Sequence, residues 1–378
     1  MFKEIEKFLL QNTDKLAFLD VERRFFAKLY RDSDLLTIPL FVEDVKPVVL
    51  KKKEGIELMR VLRAMAYMVG LDSNFRFNKD YIEIIQTYLH PLDRFLSDYA
   101  GDLYHQGRLK DSFIVLSCAL QFFPDDSDFR YNRSMLAKEL LEHALSDPLK
   151  KELYRFCKRE FEIILKNDKN HALSLYQSAY FDMNESDLGT ATQKFLQAKE
   201  LLFSDSELSR DIEERLAYLN AAISLERVEE LIEADRVQEA LDRLEDAKSD
   251  NKVQAYRRHL LTGYCLRVLE RYEEAIEEFE KAFLLHGEDS RLLSELGLCF
   301  MMVGDIEQSE QLYLSALELD PRSVEILCNL SMVNRYKGDQ SAARSFVLEA
   351  LTLDDKDEIA ISIWEALKKS EEDEGDGS

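Results

Sequence analysis

A spacing of 34 residues recurs through the last third of this chain and constrains its fold more than any other feature. Gly263 and Gly297 are 34 residues apart, as are Cys265 and Cys299, Phe279 and Tyr313, and Ala282 and Ala316. One further step takes Ala316 to Ala350, Gly304-Asp305 to Gly338-Asp339 and Ser309 to Ala343. Small residues recurring at fixed offsets with this period are the mark of stacked helix-turn-helix units, each burying its apolar face only against its neighbours.

Each offset has a physical reading. Antiparallel helices approach closely only where side chains are small, so Gly263, Gly297 and Ser331, with Ala275, Ser309 and Ala343, mark the contact within a pair. Phe279, Tyr313 and Val347 fill the space beside them, and Ala282, Ala316 and Ala350 seat the next pair. Gly-Asp at 304 and 338 supplies the left-handed backbone that ends a first helix, and Pro321 stops a second. Composition agrees: 12 glycines and 6 prolines among 378 residues leave few helix breakers, against about 12% of the two together in average usage. With 46% hydrophobic residues the chain also has enough apolar surface to fold.

Leu296-Gly297, Phe300, Ser309, Tyr313, Ala316 and Pro321 sit at the signature offsets of the tetratricopeptide repeat family, which the chain resembles over 256–289, 290–323 and 324–357. His259, Leu293 and Leu327 stand where the family usually has Trp, and Gly287 and Asp355 where it closes with Pro. The resemblance implies an all-α, right-handed α-solenoid of stacked repeats. Upstream, Ala240, Leu244 and Ala247 match a second helix whose partner runs overlong from about Ser206 to Leu231. Ala191, Phe195 and Ala198 repeat the pattern, Cys157, Phe161 and Ile164 do so more weakly, and Ala100, Ser112, Ala119 and Pro124 mark a unit at 93–126. About 11 extra residues follow that unit, read as a longer helical hairpin around Pro148.

The expected organisation is therefore an N-terminal helical region at 1–92, divergent repeats at 93–255, three well-formed repeats at 256–357, a cap helix at 358–369 and a disordered acidic tail at 370–378. In the first region Ile5, Phe8, Leu9, Leu16, Leu19, Phe25, Phe26 and Leu29 follow helical spacing. Val42 to Leu50, followed by Lys51-Lys52-Lys53, reads as a connecting loop, and 59–90 also fits one more decayed repeat.

The net charge of −24 is uneven. Residues 1–200 hold 30 Lys+Arg and 32 Asp+Glu, a net of −2, which leaves −22 for the remainder. Such a surface repels phosphate backbones and anionic lipid, so neither nucleic acid nor membrane insertion is expected. No secretory leader or long apolar span is evident, and the expected compartment is cytoplasmic. The five cysteines, 118, 157, 265, 299 and 328, are odd in number, widely spaced and embedded in apolar helical patterns, which fits buried inert thiols.

The sequence holds no phosphate-binding glycine loop, zinc-protease motif, nucleophile elbow or calcium loop, and its six histidines lack ligand spacing. No cofactor, metal or catalytic residue is expected, and the chain is not read as an enzyme. The resemblance instead implies a concave groove lined by the first helix of each repeat. At its inward positions stand Arg257, Tyr264, Arg267, Arg291, Met301, Met302, Met332, Arg335 and Tyr336. Arg and Tyr give fixed geometry and contact area, and Met adapts to shape. The same arginines serve equally well as mere partners of neighbouring glutamates. Family members that clamp acidic chaperone tails use Lys and Asn where this chain has Leu260, Tyr264, Glu295, Glu325 and Asn329, so that partner is disfavoured.

The function so implied is a protein-interaction scaffold or adaptor that takes a peptide or helix of a partner in the groove. Two readings compete with it: a peptide-sensing signalling regulator with residues 1–92 as effector, and an enzyme holding an unrecognised site across distant helices.

Overall fold

Helices joined by corners of one left-handed residue run through most of the chain. The computed structural model describes residues 2–30, 34–49, 57–202, 207–246 and 251–375, and among these it contains nineteen α-helices and one antiparallel strand pair. Two compact units result, residues 1–212 and 213–378.

The first unit opens with α1 (Lys3–Leu10), whose N-terminus is capped from far along the chain: Glu152 Oε2 accepts from the amides of Glu4, at 2.7 Å, and Ile5, at 3.1 Å. Strands β1 (Leu16–Glu22) and β2 (Leu35–Phe41) follow, then α2 (Val42–Val49), α3 (Leu58–Leu71) and α4 (Asn78–Tyr88). Residues 16–41 thus depart from the helical spacing expected of 1–92. Leu36, Ile38 and Leu40 alternate with the period of a strand and all three are buried, β2 packing against α3. The loop expected from Val42 to Leu50 is helical through Val49: Glu43 and Asp44 suit the positive end of its dipole, and Asp44 also pairs with Arg60 of α3. The Lys51-Lys52-Lys53 triplet and Ala247 lie outside the described residues.

Three helical hairpins complete this unit: α5 (Leu92–His105) with α6 (Leu109–Phe122), α7 (Ser127–Glu142) with α8 (Asp147–Asn167), and α9 (Ala172–Asn184) with α10 (Leu188–Leu201). The extra residues around Pro148 lengthen α8, with the proline in its first turn, where no intrahelical N–H is lost. Helix α11 (Glu207–Glu233) carries the boundary between the two units. Residues 1–92 share one core with the hairpins, in which Tyr67 and Met65 of α3 and Ile114 and Cys118 of α6 are fully buried.

The second unit continues with α12 (Val237–Asp246), α13 (Lys252–Val268) with α14 (Tyr272–His286), α15 (Ser290–Val303) with α16 (Ile306–Leu319), α17 (Val324–Lys337) with α18 (Gln340–Leu353), and the terminal α19 (Glu358–Gly375). From α12 each helix packs on the next in chain order, and α15 also touches α13 on one side and α17 on the other. Small residues set these contacts. A Cβ on Gly263 would lie 2.6 Å from the Phe279 ring, and one on Gly297 3.1 Å from the Tyr313 ring. Ser309 donates to the Gly297 carbonyl at 2.7 Å and Ser331 to the Ala343 carbonyl at 2.7 Å, so the polar members of the contact are satisfied inside it. Gly304 and Gly338 close α15 and α17 at φ 90° and 82°, and the following Asp305 and Asp339 cap the next helices. Glu270 takes the equivalent corner at φ 60° without the freedom of glycine.

Helix α19 runs past the expected end of the cap, and the backbone of 370–375 is helical where a disordered tail was expected. Adding a residue to an existing helix costs far less than nucleating one, and Glu is a good helix former. Residues 376–378 lie outside the described part. All five cysteines are buried and unpaired, and burial pushes the thiols up, to about 12 for Cys157 and Cys299 and about 11 for Cys265 and Cys328. No described helix is long and apolar enough to cross a membrane.

Candidate functional site

Stacking brings first helices side by side in the second unit, and two hollows open along them. One, of ≈ 300 Å³, is lined by Glu229, Ile232 and Glu233 of α11, Arg257, Leu260, Leu261 and Tyr264 of α13, and Arg291 of α15. The other, of ≈ 440 Å³, is lined by Ser290, Arg291, Ser294 and Glu295 of α15, Asp320 and Ser323 of the following turn, and Glu325 and Ile326 of α17. Arg291 belongs to both.

Three residues singled out by spacing, Arg257, Tyr264 and Arg291, therefore share one hollow. Their states differ. Arg257 is paired side-on with Glu229, its Nε 2.9 Å from Oε1. The Arg267 guanidinium lies 4.8 Å above the Tyr264 ring, and its Nε is 2.6 Å from Glu295 Oε2. Two arginines thus serve neighbouring glutamates, as the alternative reading had it, and Arg267 also lies over the Tyr264 ring. Arg291 is exposed and makes no ion pair among the described residues, so of Arg257, Arg267 and Arg291 it alone keeps its donors uncommitted. Burial pushes the Glu295 carboxyl above its ordinary range in spite of Arg267 and Arg291 nearby.

The remaining expected groove residues stand apart from these hollows. Met301 is half-buried against the cluster of Leu293, Tyr313 and Leu330, and Met332 against that of Cys328, Val347 and Ile363, so both act mainly as packing. Met302, Arg335 and Tyr336 are exposed near the ends of α15 and α17 and line neither hollow. At the positions compared with tail-clamping relatives, Glu295 and Glu325 put two carboxylates where an acidic ligand would need cations.

The larger hollow lies in the first unit and went unread in the sequence. It measures ≈ 570 Å³ between α5, α6 and α7, with Ser97, Ala100, Gly101 and Tyr104 on α5 facing Asn132, Met135, Lys138 and Glu142 on α7. A Cβ on Gly101 would meet nothing within 4 Å. The available signal was the run of small residues at i, i+3 and i+4 on α5, ending in a half-exposed tyrosine; elsewhere in the chain the same pattern means close helix contact, which hid it.

Comparison with known proteins adds the following. A family model described as tetratricopeptide repeat matches residues 225–291, across α11 to α15. The photosystem I assembly protein Ycf3 of Acaryochloris marina (strain MBIC 11017) is 30% identical over 125 residues, which make up 32% of this chain and 69% of that protein. Among solved structures, YrrB, described as a TPR protein with an unusual peptide-binding site, is 18% identical and covers 53% of this chain and 96% of its own, with a TM-score of 0.35. PilW, described as a widely conserved type IV pilus biogenesis factor, is 16% identical, covers 61% of this chain and 97% of its own, and has a TM-score of 0.36. Likenesses of that size to solved structures carry nothing about what this chain binds.

Proposed function

The chain belongs to the tetratricopeptide repeat family, and from that premise we propose that it is a protein-interaction scaffold holding an extended or helical segment of a partner along α13, α15 and α17. Repeats of this family are in general non-catalytic interaction modules. The observation that carries the finer reading is Arg291, exposed, without an ion pair among the described residues, and shared by two adjoining hollows whose other walls supply Leu260, Tyr264 and a row of glutamates. A segment seated there would place a carboxylate or backbone carbonyl on Arg291, an apolar side chain against Leu260 and Tyr264, and cations beside Glu229 and Glu325. Such a mixed ligand suits the groove better than a purely acidic tail, because desolvating an unmatched glutamate costs more than one arginine returns. Met302, Arg335 and Tyr336 extend the surface toward the ends of the same helices.

Affinity capture on the full chain tests this. Replacing Arg257, Arg267 and Arg291 together by Ala is expected to remove the partners that the unaltered chain retains, with helical content unchanged by circular dichroism. Partners retained undiminished by the triple variant would count against groove binding.

A further inference from the structure

The strand pair of the first unit has one closed edge and one open edge. Leu16 pairs with Phe41, Phe18 with Pro39, Asp20 with Thr37 and Glu22 with Leu35. The Arg23 amide donates to the Asp34 carbonyl at 2.7 Å, so the pairs bonded across the ribbon are those of residues 17, 19, 21 and 23. Hydrogen-bonding groups alternate sides along an antiparallel strand, so the N–H and C=O groups of Phe18, Asp20 and Glu22 point away from β2.

The two outer edges differ sharply. On β2 the outward groups include Pro39, which has no N–H, and the Thr37 carbonyl, which accepts from Tyr81 Oη at 2.6 Å. That edge is closed. On β1 the outward amides of Phe18, Asp20 and Glu22 have no partner among the described residues. No proline or lysine lies within β1 to discourage pairing, and its flanks are apolar: Phe18 and Leu19, on opposite faces, are 47% and 49% exposed. Asp20, exposed, accepts the Thr37 hydroxyl at 2.6 Å and makes no ion pair among the described residues, whereas the neighbouring Glu22 is paired with Arg24.

We propose that the β1 edge binds an extended basic and apolar segment of another protein by strand addition, with a lysine or arginine opposite Asp20 and apolar side chains against Phe18 and Leu19. Charge complementarity selects this occupant over a second copy of the chain. Antiparallel self-pairing about Phe18 sets Glu22 against Asp14, about Leu19 sets Asp20 against Phe18, about Asp20 sets that residue against itself, and about Val21 sets Asp20 against Glu22. Each of these registers puts Asp20 or Glu22 opposite an acid or a ring and sets no cation directly opposite either.

The test uses the full chain and three synthetic probes of about seven residues: alternating valine and lysine, alternating valine and glutamate, and the valine-lysine probe N-methylated at alternate amides so that one edge cannot pair. The valine-lysine probe is expected to bind and to slow amide exchange at Phe18, Asp20 and Glu22. N-methylation is expected to weaken binding about tenfold, the loss of two or three hydrogen bonds. Asp20→Lys, which keeps the backbone, is expected to reverse the preference in favour of the glutamate probe. Asp20→Pro, which removes an outward N–H together with the carboxylate, is expected to abolish binding of both. Equal binding of the N-methylated probe, no protection of the three amides, or a dimer in light scattering that Asp20→Pro dissociates would each overturn the proposal, the last by giving the edge to a second copy.

Discussion

The repeats at α13–α18 and the N-terminal ribbon with α1–α4 bury their apolar residues by different routes. In the repeats, Gly263 and Gly297 each meet a ring sixteen positions on, Phe279 and Tyr313, and each corner within a hairpin uses a left-handed residue followed by a capping Asp or a salt-bridged Arg. Every such contact is local and recurs. In the N-terminal region the determining contacts are long-range and occur once: Glu152 caps α1, and Asp111 of α6 accepts from Asn12 Nδ2 at 2.7 Å, Tyr67 Oη at 2.6 Å, Lys15 Nζ at 2.8 Å and Arg108 Nε at 2.7 Å. Local redundancy makes a region legible and tolerant; a singular buried network makes it specific and fragile.

The sharpest break in the comparison is at Asp111. Its carboxylate is 2% exposed and gathers two cations and two buried donors, so Asp111→Ala leaves Asn12 and Tyr67 unsatisfied in the core while the half-exposed Lys15 and Arg108 turn to water, and is expected to cost about 2–4 kcal/mol in the first unit. Hydrogen exchange read by mass spectrometry should show α1 to α6 losing protection while α13 to α18 keep theirs. Acid should find the same weakness. Burial pushes the Asp111 carboxyl up, but the donors Lys15, Tyr67 and Arg108 hold it below the ordinary carboxylate range. Its contribution is therefore complete above the unfolded value of about 3.9 and is lost only as pH falls through the lower folded value. Unfolding of the first unit that begins near neutrality would contradict this.

Glycine contacts give a graded series. A Cβ on Gly70 of α3 would sit 1.9 Å from the Ile114 carbonyl oxygen and 2.9 Å from the Cys118 nitrogen, backbone atoms of α6 that cannot move separately. Gly70→Ala is expected to cost about 3 kcal/mol, and Gly263→Ala, which meets only a ring edge, about 1–2 kcal/mol. Urea titrations of the two variants should preserve that order. The corners yield a smaller effect of opposite sign: Glu270→Gly relieves a left-handed glutamate at φ 60° and is expected to stabilise the second unit by about 1 kcal/mol, whereas Gly304→Ala should destabilise it by a similar amount. Smallest of all, Arg291→Ala should change stability by less than about 0.5 kcal/mol, because the side chain is exposed and makes no ion pair among the described residues. A large loss there would make Arg291 structural and weaken its role in the groove.

What was legible follows the same division. The offsets of Gly263, Ala275 and Phe279, the corners at 304 and 338 and the overlong α11 could be read because each rests on contacts within two adjacent helices. Leu16, Leu19, Phe26 and Leu29 pass as one helix face, since spacings of three and seven fit a helix, while the decisive alternation of Leu36, Ile38 and Leu40 is a strand signal only beside its partner α3. At the site, spacing placed Arg257, Tyr264 and Arg291 together, but it did not separate Met301 and Met332, which pack, from Met302, which is exposed, because adjacent positions on one helix differ in burial by neighbours that no local pattern names.

The most direct measurement is site-specific photo-crosslinking in the cell that makes the protein. A benzophenone side chain at Tyr264, inside the groove, is compared with one at Leu284, which is 83% exposed on α14 and lines neither hollow. Crosslinks to another polypeptide are expected from position 264 that vanish when Arg257, Arg267 and Arg291 are replaced, and none of the same species from 284. The same species captured from both positions, or from 264 regardless of the arginines, would contradict groove binding.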